Sequence, residues 1–141
     1  MEIVEKEFMS VLLGSDINTY SMARAFHEEY GIKTRVMGKF FTGPSYRSKI
    51  VDFYADPKMD QREVFIEAAN KFANEHKDKK IILLGCGDNY VRQIIECRDE
   101  LADNYIIPYI SQELMERLIK KEEFYKMCDK YGILYPKTFI Y

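Results

Sequence analysis

The first strong signal along the chain is an uninterrupted apolar run, Val11-Leu12-Leu13, which breaks at Gly14 and gives way to a pattern of helical period. A short run without a polar face suits a parallel strand covered on both sides. Asp16 then supplies a helix N-cap, because its carboxylate can accept an orphan amide hydrogen of the first turn. Tyr20, Ala23, Phe26 and Tyr30 share one side of that helix, with Ser21, Arg24 and Glu28 opposite, and Gly31 ends it. Residues 33–37 predict a second strand and residues 49–54 a third, separated by a turn-rich loop over 40–47 that holds Gly43-Pro44. Asp60-x-x-Glu63 has the form of a capping box, and behind it Val64/Phe65, Ala68/Ala69 and Phe72/Ala73 recur every four residues.

The strand-turn-helix design then repeats. Ile81-Ile82-Leu83-Leu84 runs into Gly85-Cys86-Gly87-Asp88, with Asp88 as the expected cap of a helix carrying Tyr90/Val91, Ile94/Ile95 and Leu101. Residues 105–107 predict a short strand stopped by Pro108. Ser111 caps a helix bearing Leu114, Met115, Leu118 and Ile119, and residues 122–131 form another that closes at Gly132. Residues 137–141 look like the start of a further strand. Five strand signals alternating with helices predict an α/β fold: a small open, mainly parallel sheet of about five strands with helices on both faces, the strand from Val11 lying beside the strand from Ile81.

Length and composition bound the partners. A chain of 141 residues can bury a core without a disulfide or metal staple. The net charge of -2 and a pI near 5.8 leave no basic face for non-specific nucleic-acid or anionic-membrane binding, since the clusters Lys77-Asp78-Lys79-Lys80 and Lys120-Lys121 are small. No apolar run approaches the roughly 18 residues of a membrane span, and Met1-Glu2-Ile3-Val4-Glu5 is the wrong start for a signal peptide, so a cytoplasmic location is expected. Cys86, Cys97 and Cys128 read as reduced thiols. His27 and His76 stand singly on helix surfaces or edges, so no metal set and no histidine-based catalytic residue is expected.

In sheets of this kind ligands bind outside the carboxyl ends of the strands. Gly14, Ser15 and Asp16 in the first loop, and Gly85, Gly87 and Asp88 in the fourth, run into helix N-termini, where free amides favour phosphate or carboxylate. Small residues that serve only to make short turns would give the same pattern. G-x-G-x-x-G is absent, no acidic residue ends the second strand, and there is no G-x-x-x-x-G-K-[ST], so neither a dinucleotide site nor a phosphate loop is expected. Cys86 reads as a small buried thiol.

Taken in order, LLGSDINTYSMARAFHEEYGIKT, Ser48-Lys49-Ile50-Val51, GCGDNYVRQII and LIKKEEFYKMCDKYGILYPKT resemble the N-terminal, pre-ATP-grasp domain of the ATP-grasp carboxylate-amine ligases. That family includes D-aspartate ligase and the large subunit of carbamoyl phosphate synthase. The most specific parts are Lys121-Glu122-x-Phe124 and Tyr131-Gly132-Ile133-x-x-Pro136-Lys137-Thr138; Leu134-Tyr135 departs from the proline that more often follows the Gly-Ile, and Cys86 lies in a loop where relatives vary. The resemblance implies a Rossmann-like domain over residues 1–132 and the start of the ATP-grasp region over 133–141, with a lid and a catalytic domain downstream. In such a ligase ATP phosphorylates a carboxylate and an amine displaces the phosphate, leaving an amide, ADP and phosphate. The resemblance also implies ATP and magnesium as cofactors of the parent, neither held tightly by this part, and Lys121 as the lysine that reaches nucleotide phosphate. It puts the first and fourth strand-end loops on the acceptor-substrate side. The implied partners are small carboxylate and amine substrates and the downstream chain, and homodimerisation stays open. The alternative is a freestanding flavodoxin-like or receiver-like binding module without catalysis, which would have no use for the segment from Pro136 to Tyr141.

Overall fold

The computed structural model describes residues 6–137 and sets the run around Val11 in the middle of a sheet. Strand β1 (Phe8–Leu13) pairs in parallel with β2 (Thr34–Gly38) on one side and with β4 (Lys80–Gly85) on the other. With β3 (Val51–Ala55) beside β2 and β5 (Tyr105–Ile106) beside β4, the order is β3-β2-β1-β4-β5, all parallel. The expected α/β sheet is therefore present, and Val11 lies opposite Leu83 as the predicted central pair requires.

Alternation along the strands sorts the core into two layers. Val11 and Leu13 point to the face that packs on Phe65, Ala69 and Phe72 of α2 (Arg62–Glu75) and on Ile94 and Cys97 of α3 (Asp88–Cys97). Leu12 points the other way, with Val36 and Val51, onto Ala23 of α1 (Ile17–Tyr30). All three residues of the run are fully buried, as a strand covered on both faces requires. On the α1 face, Ser10 Oγ and Thr34 Oγ1 lie 2.7 Å apart in the interior, so each buried hydroxyl has the other as partner. The β2–β3 crossover, residues 39–50, carries no helix.

Helix starts follow the sequence only in part. At α1 the Thr19 amide donates to Asp16 Oδ1 at 3.0 Å and the Thr19 hydroxyl to the same oxygen at 3.1 Å, so Asp16 is the cap that was expected. At α2 the cap position falls on Gln61 with no side-chain bond, because Lys39 Nζ holds the Asp60 carboxylate at 2.6 Å and the capping box does not form. At α3 the cap is Gly87, and Asp88 is the first helical residue, where its charge faces the positive end of the helix but accepts no capping bond. The buried stripe of α1 is Thr19, Ala23 and His27, one position away from the predicted Tyr20 and Phe26, which are half-buried. His27 is thus interior rather than at a surface; its Nδ1 lies 3.2 Å from the Ile32 carbonyl oxygen, within the turn that Gly31 makes at φ 69°.

The chain divides into two compact units, Met1–Tyr109 and Ile110–Tyr141. The second holds α4 (Gln112–Ile119), capped by Ser111 Oγ, which accepts from the Leu114 amide, and α5 (Lys121–Tyr131), which ends on Gly132 at φ 65°. Within it Met115 and Cys128 are buried, whereas Ile119, Phe124, Tyr131 and Ile133 are exposed. Of the apolar residues flanking the α4–α5 junction, Leu118, Ile119, Phe124 and Cys128, only Cys128 is buried. The strand expected over 137–141 falls, beyond Lys137, outside the described residues. Among those described, no helix is long and apolar enough to cross a membrane.

Cap geometry makes a measurable difference between the two aspartates. Asp16→Ala should lower unfolding free energy by about 1 kcal/mol, whereas Asp88→Ala should lower it by roughly 0.3–0.5 kcal/mol, the dipole contribution alone. Urea denaturation midpoints check this. The amide hydrogen bond from Thr19 holds the Asp16 carboxyl below its ordinary value of 3.8. A carboxylate with a depressed folded-state pKa adds stability that is fully present above the unfolded value and is lost as pH falls through the folded one. The gap between wild type and Asp16→Ala should therefore be constant at neutral pH and shrink below about pH 4.

Candidate functional site

Chain order runs outward from β1 to β3 on one side, then returns across β1 to β4 and β5, so the strand order reverses between β1 and β4. The crevice outside the carboxyl ends of such a pair is where open parallel sheets bind ligands. Gly14-Ser15-Asp16 and Gly85-Cys86-Gly87-Asp88 both lie there, so the two loops singled out in the sequence are adjacent. The ladder continues into them: the Gly14 amide donates to the Met37 carbonyl at 3.0 Å and the Cys86 amide to the Leu13 carbonyl at 2.8 Å.

The glycines have different reasons for being there. Gly14 has φ 140°, and a β-carbon on it would strike Thr19 Oγ1 and press on Cys86 Cβ. Gly85 abuts the Tyr90–Val91 backbone, which lets α3 pack close on β4. These two are accounted for by close approach. Gly87 is not: it is exposed, its φ of 165° is ordinary extended backbone, and only the Tyr90 ring lies within 4 Å of an added β-carbon. Ser15 is half-buried, and Asp16 and Asp88 are exposed. Cys86 is buried with its thiol 3.4 Å from Met22 Sδ, and desolvation pushes its pKa up. A thiol so placed stays protonated.

The larger feature of this edge escaped the sequence. A cleft of about 560 Å³ opens beside the two loops, lined by Lys39 after β2, Asp60 and Arg62 at the start of α2, and Asn89, Tyr90, Arg92, Gln93, Glu96 and Cys97 along α3. Tyr90 joins cleft to loops: burial raises its hydroxyl pKa, Lys39 opposes that shift, and Asp60, Asp16 and Cys86 add to it. Every cation of the cleft has a carboxylate neighbour. Lys39 holds Asp60 at 2.6 Å and keeps that carboxyl below its usual range. Arg92 reaches Glu96 at 3.5 Å. Arg62 pairs with Glu100 and donates to the Glu96 carbonyl at 3.1 Å. Gln93 fixes the floor by donating to the Met59 carbonyl at 3.0 Å. Of these residues Asp60 and Tyr90 carry sequence signals, but as parts of a capping box and an apolar helix face; Arg62 and Arg92 come together through helix packing that no spacing encodes.

In the second unit Lys121 is exposed at the first position of α5 and makes no ion pair among the described residues, while Lys126 takes Glu122 at 2.7 Å and Glu123 at 3.1 Å. No cluster of His, Cys, Asp and Glu that could hold a metal ion occurs among the described residues.

In an alignment that takes in 98% of the chain, 43% of residues are identical to the D-aspartate ligase of Enterococcus faecium (strain Aus0004). The chain matches the N-terminal part of an ATP-grasp ligase. It spans about a third of the length of that curated relative, 34%, in agreement with the resemblance carried by the Lys121-Glu122-x-Phe124 and Tyr131-Gly132-Ile133 motifs. No protein-family model matches the chain, and no solved structure does.

The distinction between packed and open glycines is testable. Gly14→Ala should destabilise by more than about 1 kcal/mol, since it combines a strained φ with a clash on the buried Thr19 side chain. Gly87→Ala should stay within about 0.5 kcal/mol of wild type. Thermal and urea unfolding of both variants decide it.

Proposed function

We propose that this chain is the substrate-side N-terminal domain of an ATP-dependent carboxylate-amine ligase, and that D-aspartate is one of the two molecules the ligase joins. The observation that carries the reading is the 43% identity to a D-aspartate ligase along nearly the whole chain. The open cleft at the carboxyl edge of β2 and β4 supports it, because a domain of this kind has to present a polar surface to its substrate. On this reading residues 1–132 form the pre-ATP-grasp domain and residues 133–141 begin the ATP-grasp region.

The chemistry is acyl activation. ATP transfers its terminal phosphoryl group to a carboxylate; the amine of the second substrate attacks the acyl carbon, phosphate leaves, and the amide remains. D-Aspartate carries two carboxylates and one amine, so its chemistry suits either side of the reaction. ATP and magnesium supply the activated phosphoryl group and neutralise its charge. Among the described residues no cluster of carboxylates and histidines is gathered for a metal ion, and the part given to this chain's residues is to bind and orient. The strand-end loops and the cleft receive substrate, and Lys121, exposed and without an ion pair among the described residues, offers a point charge to nucleotide phosphate. The working location is the cytoplasm, where ATP is available.

The reading is tested on the protein encoded when the coding sequence is followed past Tyr141. That protein should release ADP in a D-aspartate-dependent manner, while the 141-residue chain alone should not turn over ATP. In the longer protein Lys121→Met should raise the apparent KM for ATP about tenfold, the worth of one charged hydrogen bond, without changing the melting temperature. An unchanged KM in Lys121→Met together with a raised one in Lys120→Met would assign the role to the neighbouring lysine.

A further inference from the structure

The two edges of the sheet are built differently. β5 is only two residues long, and Pro108 stops its extension. Short strands and prolines are usual guards against another chain adding to a sheet edge. β3 has neither, since Val51–Ala55 is five residues long and holds no proline and no lysine. Its one charge, Asp52, is taken up by Arg35 of the neighbouring strand at 2.5 Å. Two bonds at the ends of the ladder fix which backbone groups point outward. The Thr34 amide donates to the Ile50 carbonyl at 3.1 Å and the Asp56 amide to the Gly38 carbonyl at 3.0 Å, so the even-numbered residues of β3 face β2. Phe53 and Ala55 therefore turn both amide and carbonyl away from the sheet, and Val51 its carbonyl, with no partner among the described residues. The Val51 amide is already held by the Ser48 carbonyl at 3.3 Å. Phe53 also carries an aromatic group, because the rings of Phe41 and Tyr46 are centred 6.0 and 5.9 Å from its own, and Phe41 is 59% exposed.

We propose that β3 is the seam of a homodimer, in which two copies of the chain pair their β3 strands antiparallel about a twofold axis through Phe53 and join their sheets into one. A second copy is the occupant because the edge is complementary to itself. The axis sets Phe53 opposite Phe53 of the second copy, Val51 opposite Ala55 and Asp52 opposite Tyr54, so no carboxylate faces a carboxylate. Charge also fixes this register. Moving the axis by one residue would set Asp52 against Asp52 in one direction and against Asp56 in the other, and like charges directly opposite each other repel. The outward residues are those that an antiparallel pair bonds directly. Each Phe53 amide donates to the Phe53 carbonyl of the second copy, and each Ala55 amide to the Val51 carbonyl there, which answers every outward group of β3 except the Ala55 carbonyl. On the α1 face the two Phe53 rings meet with Phe41 and Tyr46 beside each, and aromatic surface now open to water is covered. An extended segment of another protein would gain the backbone bonds without the matched rings.

The test is sedimentation velocity of the 141-residue chain over a dilution series, with the longer protein run beside it. Both should dimerise as concentration rises, the chain reaching twice its 16.7 kDa. Ala55→Pro removes an outward amide and leaves the β2 ladder whole, a position where an edge strand accepts proline. It should weaken dimerisation at least about tenfold, the effect of the lost backbone bonds, at unchanged far-ultraviolet circular dichroism. Phe53→Lys and Phe53→Glu should each be monomeric alone, and an equal mixture of the two should regain the dimer, a recovery that mere loss of stability would not give. Mild oxidation reads the register. Phe53→Cys should cross-link into a disulfide dimer, since facing Cα atoms lie about 5.5 Å apart in such a pair, whereas Asp52→Cys, offset from its own copy, should not; the three native thiols are buried. A chain that stays monomeric, a dimer indifferent to Ala55→Pro and to both Phe53 variants, or cross-linking through Asp52→Cys in place of Phe53→Cys would each overturn the proposal. A dimer of the chain that the longer protein does not form would overturn it too, and would put downstream chain on β3.

Discussion

Everything in the first unit depends on one strand being buried from four directions. β1 has β2 and β4 as hydrogen-bonded neighbours and helices against both its faces, so Val11, Leu12 and Leu13 are each fully buried. Each such side chain stabilises the fold by roughly 1.5–3 kcal/mol through burial. More important for function, a central parallel strand is where the chain has to change direction across the sheet. The carboxyl ends of β1 and β4 therefore diverge into helices on opposite faces, α1 on one and α3 on the other, and a crevice between them follows from connectivity.

Close approach then shapes that crevice. Gly14 and Gly85 bring the two loops and the start of α3 against the strand ends, and Thr19, fully buried one turn into α1, ties the cap to this packing by donating to Asp16 through both amide and hydroxyl. Gly43 does the same for the β2–β3 loop, since at φ 80° it lies directly on the Ser15 carbonyl. Close approach requires these glycines whatever the loops bind.

How far the sequence could be read follows from the range of the interactions involved. The apolar runs at Val11 and Ile81 made the parallel central pair legible, because burial on both faces leaves a pattern within four residues. Asp16 was legible for the same local reason. Asp60 and Asp88 were not: one carboxylate is captured by Lys39, twenty-one residues away, and the other sits one position inside its helix. The offset of the α1 stripe onto Thr19, Ala23 and His27 has a similar origin, since His27 can be interior only because the chain reverses at Gly31 and presents the Ile32 carbonyl to its ring. The cleft was the least legible feature. Lys39, Arg62 and Arg92 are ordinary surface cations in sequence, and only the packing of α2 beside α3 at the end of β2 gathers them.

The division of labour between core and cleft has a physical consequence. Stability resides in apolar burial around β1, whereas the charged pairs that line the cleft are half-exposed and contribute little to it. Such pairs are instead well suited to exchange partners, because neither member is committed by desolvation to the other. A buried ion pair in the same position would resist a ligand, since separating it leaves an uncompensated charge. The exposure that makes these pairs poor stabilisers leaves both members of each able to meet another charge. It also lets charge be altered at this edge while the sheet beneath is left intact.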